Sequence, residues 1–194
     1  MVDNLNKILP LLEFESEDDF YYLQILQRKK ENHHLGSNSR VIKNYYIKSE
    51  EYLLNRYDEI KKLCEVFNAR ASIRLNKRSF EKVGFKTMVN LSNTIMNKEY
   101  QFLPKSYDRA CGLGHNDKNK KWILDIDGTL TYNEIYKIEE VIERAEPTDK
   151  KIIVYLPSKT GLHLITKPFD LREFSSLYPE IEIHKDNPTN LYIP

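Results

Sequence analysis

Two stretches of this 194-residue chain carry side chains whose types and spacing could do chemistry. The first is Lys121-Trp122-Ile123-Leu124-Asp125-Ile126-Asp127-Gly128-Thr129, an apolar run ending in two aspartates one residue apart. In a strand, alternate side chains share a face, so Asp125 and Asp127 point the same way with Ile126 opposite. Two carboxylates together at a strand end can hold a divalent cation. The second stretch is Ser158-Lys159-Thr160-Gly161-Leu162-His163. Its glycine permits a tight turn where backbone can approach a phosphate, Lys159 offers a mobile cation, and His163 faces a cleft if Leu162 and Leu164 face the core. A histidine in a hairpin is more often a hydrogen-bonded strand residue than a catalytic one. An Asp-x-Asp strand upstream in the same small sheet shifts the weight toward function.

The elements that must position these residues are legible from periodicity and caps. Residues 1–19 read as an N-terminal arm, mobile or loosely docked, with an acidic run from Glu13 to Asp19. Residues 20–98 read as an α/β lobe. Strands are expected at Phe20–Leu26 and Val41–Ile47, joined by a polar connector in which His33 and His34 sit on the surface. A helix capped by Ser49 follows over Glu50–Phe67, with Cys64 in its core stripe. Arg70, Ser72 and Arg74 then alternate with Ala71, Ile73 and Leu75, so one strand face shows two arginines and needs an anionic partner. Ser79 caps a helix over Phe80–Met96 that carries Phe80, Val83, Met88, Leu91 and Ile95 inward. Residues 99–120 are a long connection containing Cys111, Gly114 and His115, and mark the lobe boundary.

Residues 121–194 form the second lobe: the aspartate strand, a helix over Asn133–Ala145, strands at Lys151–Leu156 and Leu162–Thr166, a helix over Leu171–Tyr178 capped by Asp170, and strands at Ile181–His184 and Asn190–Ile193. The order β-α-β-β-α-β is that of a ferredoxin-like (RRM-like), mainly antiparallel sheet, so the fold class expected is α+β with two lobes.

Composition narrows the class. The length suffices for a full core without disulfides, and two cysteines far apart, with no signal-peptide pattern, point to a reducing cytoplasm. No apolar run reaches a membrane span, so no membrane partner is expected. The net charge of +1 conceals an asymmetry. Between residues 66 and 98, Arg70, Arg74, Lys77, Arg78, Lys82, Lys86 and Lys98 face a single acid, Glu81. A basic block in one lobe and carboxylates in the other suit a cleft holding a polyanion against a metal, although a solvated helix face is the commoner fate of such runs.

The two stretches together resemble the archaeo-eukaryotic primase superfamily, which includes the primase-polymerases. That family is marked by an apolar strand ending Asp-x-Asp, a small residue shortly before a histidine on a later strand, and a third acid near another strand. Here these fall on Asp125 and Asp127, on Ser158 to His163, and on Asp186, with Glu182 the alternative. The resemblance implies a two-metal nucleotidyltransferase between two lobes. Asp125, Asp127 and Asp186 would hold Mg2+ or Mn2+. Asp125, Asp127 and His163 would be catalytic, and Ser158, Lys159 and Gly161, with Arg70, Arg74 and Arg78, would contact phosphates. Implied partners are a nucleoside triphosphate, single-stranded DNA or RNA, and a separate helicase or replication protein. The primase resemblance implies a role in DNA replication; in Gly161-Leu162-His163-Leu164-Ile165-Thr166-Lys167-Pro168-Phe169 and Lys185-Asp186-Asn187-Pro188-Thr189 the chain also looks like small proteins of tailed bacteriophages, which implies a bacterial host's cytoplasm.

Two alternatives stand beside this. Asp125-Ile126-Asp127-Gly128-Thr129 also resembles the opening motif of haloacid-dehalogenase phosphatases, where Asp125 would be the nucleophile, Asp127 the acid/base and Ser158 a second-motif hydroxyl. Only 67 residues follow Asp127, however, and they contain a hairpin where parallel crossovers are required. The third reading is a non-catalytic nucleotide- or nucleic-acid-binding or interaction protein, with 13 tyrosines and eight phenylalanines available for stacking.

Overall fold

Local signals set most of the elements. A computed structural model describes residues 1–36, 38–113, 117–128 and 130–194. Gly114 and His115 of the long connection, and Thr129 after the aspartate strand, lie outside the described residues. In chain order the elements are β1 (Val2–Asp3), α1 (Leu5–Ile8), β2 (Asp19–Gln27), β3 (Arg40–Ile47), α2 (Glu50–Phe67), β4 (Arg70–Arg74), β5 (Arg78–Ser79), α3 (Phe80–Met96) and α4 (Ser106–Cys111). Then come β6 (Trp122–Asp127), α5 (Tyr132–Arg144), β7 (Ile152–Pro157), β8 (Gly161–Thr166), α6 (Leu171–Leu177), β9 (Glu182–His184) and β10 (Pro188–Ile193).

Helix α2 starts where the Ser49 hydroxyl accepts the Tyr52 amide at 3.0 Å and stops at Asn68, whose φ of 44° is left-handed. Between those caps, Leu53, Tyr57, Ile60 and Cys64 form one buried stripe. Leu53 and Ile60, both fully buried, each contribute roughly 1.5–3 kcal/mol by leaving water. Helix α3 has the expected cap, Ser79 accepting the Lys82 amide at 3.0 Å, but not the expected buried face. Only Val83 and Thr94 are buried, while Met88 and Ile95 stand more than half exposed. The helix is held at its Phe80 end, stacked on Phe20 at 4.3 Å, and along a narrow line by α4, so little of its circumference is covered.

The molecule is α+β with two antiparallel sheets. One runs β1-β10-β4-β2-β3 with β5 paired to β2; the other runs β7-β8-β6-β9. Three expectations change here. The last strand does not belong to the second lobe: β10 pairs with β4, placing Thr189 opposite Ile73 and Asn190 opposite Ser72. The N-terminal arm is not loose, because β1 pairs with β10, Ile8 is fully buried, and Asn4 Nδ2 donates to the Asn190 and Pro157 carbonyls at 2.9 and 3.0 Å. The connection after α3 is not structureless, since α4 ends in buried Cys111 and packs on Phe20, Tyr22 and Val83. Both cysteines are free and buried.

The main core lies on one face of the first sheet, under α2, and takes in Ile123, Leu156 and Ile165 from the second sheet. A second core, with Leu124, Ile126, Leu164, Ile138, Ile142 and Phe174, fills the space between the second sheet and helices α5 and α6. No described helix is long and apolar enough to cross a membrane.

Candidate active site

Strand alternation decides which side chains of the second sheet meet the first. On β6, Leu124 and Ile126 turn toward α5 and α6, which leaves Ile123, Asp125 and Asp127 on the opposite face. Strand β6 lies between β8 and β9, so Asp125 is directly across from His163 on one side and Glu182 on the other. Ile123 is across from His184, and Asp127 from Gly161. One face thus gathers three carboxylates and two imidazoles.

These residues open onto a cavity of about 600 Å3. Asp125, Asp127, His163, Glu182 and His184 line one wall, and Leu26, Arg70, Ser72 and Asn190 of the first sheet line the other. Ser158, Lys159 and Thr160 from the β7–β8 hairpin, together with Arg28 and Lys30, bring hydroxyls and cations to its rim. His163 Nε2 stands 3.4 Å from an Asp125 oxygen, and its Nδ1 lies 2.7 Å from the Thr189 hydroxyl. Burial pushes the imidazole pKa below its ordinary value, against the opposing pull of Asp125. When Thr189 donates to Nδ1, the proton on Nε2 points at Asp125 and the cavity. Thr160 Oγ1 donates to Asp127 at 3.4 Å.

Gly161 has a different role from the one its sequence context implies. A Cβ there would sit 2.1 Å from the Ile126 carbonyl oxygen, so only glycine lets β8 close against β6 beside Asp127. Its amide donates to Ser158 Oγ at 3.1 Å, which holds the hairpin bearing Lys159 in shape. The positive φ belongs instead to Gly128, at +83°, where the chain turns away after Asp127.

Of the residues expected at the site, Asp125, Asp127, His163, Ser158, Lys159 and Arg70 come together and Gly161 supports them. Arg74, Arg78 and Asp186 do not. The Arg78 guanidinium is fully buried and grips Asp186 with both nitrogens, Nη1 to Oδ1 at 3.0 Å and Nη2 to Oδ2 at 2.6 Å. Arg74 donates to the Asp186 carbonyl, and Asn76 Nδ2 reaches Asp186 Oδ1 at 3.2 Å. Asp186 therefore bolts the turn before β10 to the first sheet, and the acid across the sheet from Asp125 is Glu182. Within the basic block Arg70, Arg74 and Arg78 are thus paired inside the fold, and Lys77 pairs with Asp19 and Glu15.

Sequence reasoning missed Glu31, His184 and Thr189. His184 was recoverable, because Glu182-Ile183-His184 alternates around an apolar residue. Glu31 carries no local signal: its partners Arg70 and Lys159 are 39 and 128 residues away. Its carboxylate receives Arg70 Nε at 2.9 Å, a second bond from Arg70 Nη2, and Lys159 Nζ at 2.7 Å. These bonds, from Arg70 above all, pull the Glu31 pKa down to about 2.

The donor set fits a hard divalent cation in one respect. Two adjacent carboxylates suit Mg2+, which keeps waters and takes further oxygens from substrate phosphates. Among the described residues, no group of three or more His, Cys, Asp or Glu side chains forms a ready-made metal cage. The phosphatase geometry is a poorer match, since β6 is antiparallel to both neighbours. Comparison of the chain with protein-family models, with curated proteins and with solved structures returns no match to any of them.

Proposed function

We propose that the protein is a metal-dependent nucleotidyltransferase of primase-polymerase type, acting on a nucleoside triphosphate and a nucleic-acid strand in the cavity between the two sheets. One observation carries the reading: Asp125, Asp127 and His163 share one face of an antiparallel sheet and open onto the same cavity as Lys159 and Arg70. The succession β6-α5-β7-β8-α6-β9 with strand order β7-β8-β6-β9 supports a ferredoxin-like catalytic module. The first lobe then supplies the facing wall.

In this reading Asp125 and Asp127 hold Mg2+ or Mn2+, which when bound offsets charge on the attacking and leaving oxygens. His163, its ring fixed by Thr189 at Nδ1, offers Nε2–H as a donor to a phosphate oxygen beside Asp125. Lys159 supplies a cation on the hairpin, and Ser158 keeps that hairpin folded. Glu182 replaces Asp186 as the third acid. Incubation with Mn2+, labelled nucleotides and a primed or unprimed single strand tests this, with Asp125→Ala/Asp127→Ala as control. Product from wild type alone is the expected result; absence of both product and metal-dependent nucleotide binding would refute it.

A binding module without turnover is the second reading. It is favoured by the commitment of Asp186 to Arg78, which removes one expected ligand from the site. Nucleotide binding that needs the metal but yields no product with any template would select it.

A further inference from the structure

A second cavity, of about 420 Å3, lies at the end of β6 on the side of α5 and α6. Ile126, Ile138 and Ile181, all buried members of the core under those helices, line it together with half-buried Leu130 and Tyr178, which pack against the same core. The space exists because β9 is short. Its pairing with β6 stops where Glu182 faces Asp125, so Ile126 and Asp127 have no β9 neighbour, and Tyr178, Glu180 and Ile181 bound the space in place of a strand. Exposed Glu134 and Lys137 of α5 complete the lining with polar groups. Asp125 and Asp127 line this cavity as well as the one between the sheets, so the two share a pair of carboxylates.

We propose that this second cavity binds the nucleobase of a nucleotide whose phosphates sit at Asp125 and Asp127, with preference for a base that carries an exocyclic amino group. The proposal rests on the nucleotidyltransferase reading and goes further by assigning a place for the base. The volume falls within the range of small-molecule sites, and a lining of aliphatic side chains with one aromatic ring suits a flat, uncharged heterocycle. Four carboxylates line the space against one cation, Lys137, so an anionic group is disfavoured inside it. The phosphates belong instead to the neighbouring cavity, which Arg28, Lys30 and Lys159 line. Of the two glutamates, Glu134 is engaged at its own helix cap, where it accepts the Thr131 amide and hydroxyl, each at 2.7 Å. Glu180 makes no hydrogen bond or ion pair among the described residues. An ionised carboxylate only accepts, and the amino groups of adenine, cytosine and guanine donate, whereas uracil and thymine have none.

The experiment is calorimetric titration, in Mn2+, of adenosine triphosphate, uridine triphosphate and inorganic tripolyphosphate into wild type, Leu130→Trp, Tyr178→Ala and Glu180→Ala, with urea midpoints showing that each variant is folded. Wild type is expected to bind adenosine triphosphate at least about tenfold more tightly than tripolyphosphate, and more tightly than uridine triphosphate. Leu130→Trp fills the cavity from its half-buried wall and Tyr178→Ala removes the ring; both should shrink the margin of adenosine triphosphate over tripolyphosphate while tripolyphosphate affinity stays as in wild type. Glu180→Ala should lower adenosine triphosphate affinity about tenfold and leave uridine triphosphate unchanged. Equal affinity of wild type for adenosine triphosphate and tripolyphosphate, or a margin kept in Leu130→Trp and in Tyr178→Ala, overturns the base site and leaves the transferase reading standing. An unchanged adenosine-to-uridine ratio in Glu180→Ala overturns the preference for an amino group. Wild type that binds none of the three ligands overturns the base site and the transferase reading together.

Discussion

Replacing Asp186 separates a structural acid from a catalytic one. The Arg78 guanidinium is 0% exposed and its two terminal nitrogens reach Asp186 at 3.0 and 2.6 Å. Its remaining bonds go to the neutral carbonyls of Cys111 and Asn76, so among the described residues no other carboxylate is seen on it. Asp186→Ala strands that charge in the interior, which costs about 3–5 kcal/mol. Against a total stability of about 5–15 kcal/mol for a domain, such a loss is a large fraction of the whole. Urea denaturation at pH 7, followed by circular dichroism, measures it. The double variant Arg78→Met/Asp186→Leu removes the fully buried guanidinium with its partner and should be clearly more stable than Asp186→Ala, because only the partly exposed Arg74 then lacks its carboxylate. A loss below about 1 kcal/mol for Asp186→Ala, or a double variant no better than the single, would contradict the structural assignment of this pair.

Other outcomes follow from the same geometry. Glu182→Gln should leave the urea midpoint within about 0.5 kcal/mol of wild type, because the side chain is exposed, while weakening Mn2+-dependent nucleotide binding; unchanged binding would remove Glu182 from the site. Gly161→Ala forces a Cβ to within 2.1 Å of the Ile126 oxygen and should cost at least about 1–3 kcal/mol, with amide exchange accelerated on β6 and β8. Glu31 is depressed from 4.5 to about 2, so its contribution is complete above pH 4.5 and disappears as pH falls toward 2. The full shift corresponds to about 3 kcal/mol, and solvent screening reduces the expected contribution to about 1–2 kcal/mol. Denaturation midpoints between pH 5 and pH 2 should therefore fall more steeply for wild type than for Glu31→Gln, and parallel curves would count against the pairing of Glu31 with Arg70 and Lys159.

What the sequence made legible was whatever local chemistry decides. Ser49, Ser79 and Asp170 each cap the helix expected from them, because a cap bonds an amide only two or three residues on. The alternation at Arg70-Ala71-Ser72-Ile73-Arg74 fixes faces correctly, yet not the fate of each arginine. Arg70 finds Glu31 at the cavity, whereas Arg74 lies in the cluster around Asp186, 112 residues away. The last strand was visible over Asn190–Ile193, two residues short of its start at Pro188, but its partner was not. Pairing with β4 and β1 is a long-range choice made by the buried side chains Thr189, Leu191 and Ile193. Met88 and Ile95 misled for a related reason: helical spacing marks an apolar stripe and says nothing about whether another element covers it.

The central claim is that Asp125 and Asp127 hold a divalent cation for a nucleotide in the cavity between the sheets. The most direct measurement is titration of a nucleoside triphosphate into wild type and Asp125→Ala/Asp127→Ala, with and without Mn2+. The account predicts tight binding only for wild type with the metal, reduced at least about a hundredfold in the double variant while its urea midpoint is kept. Equal binding by the two proteins in Mn2+ would contradict it.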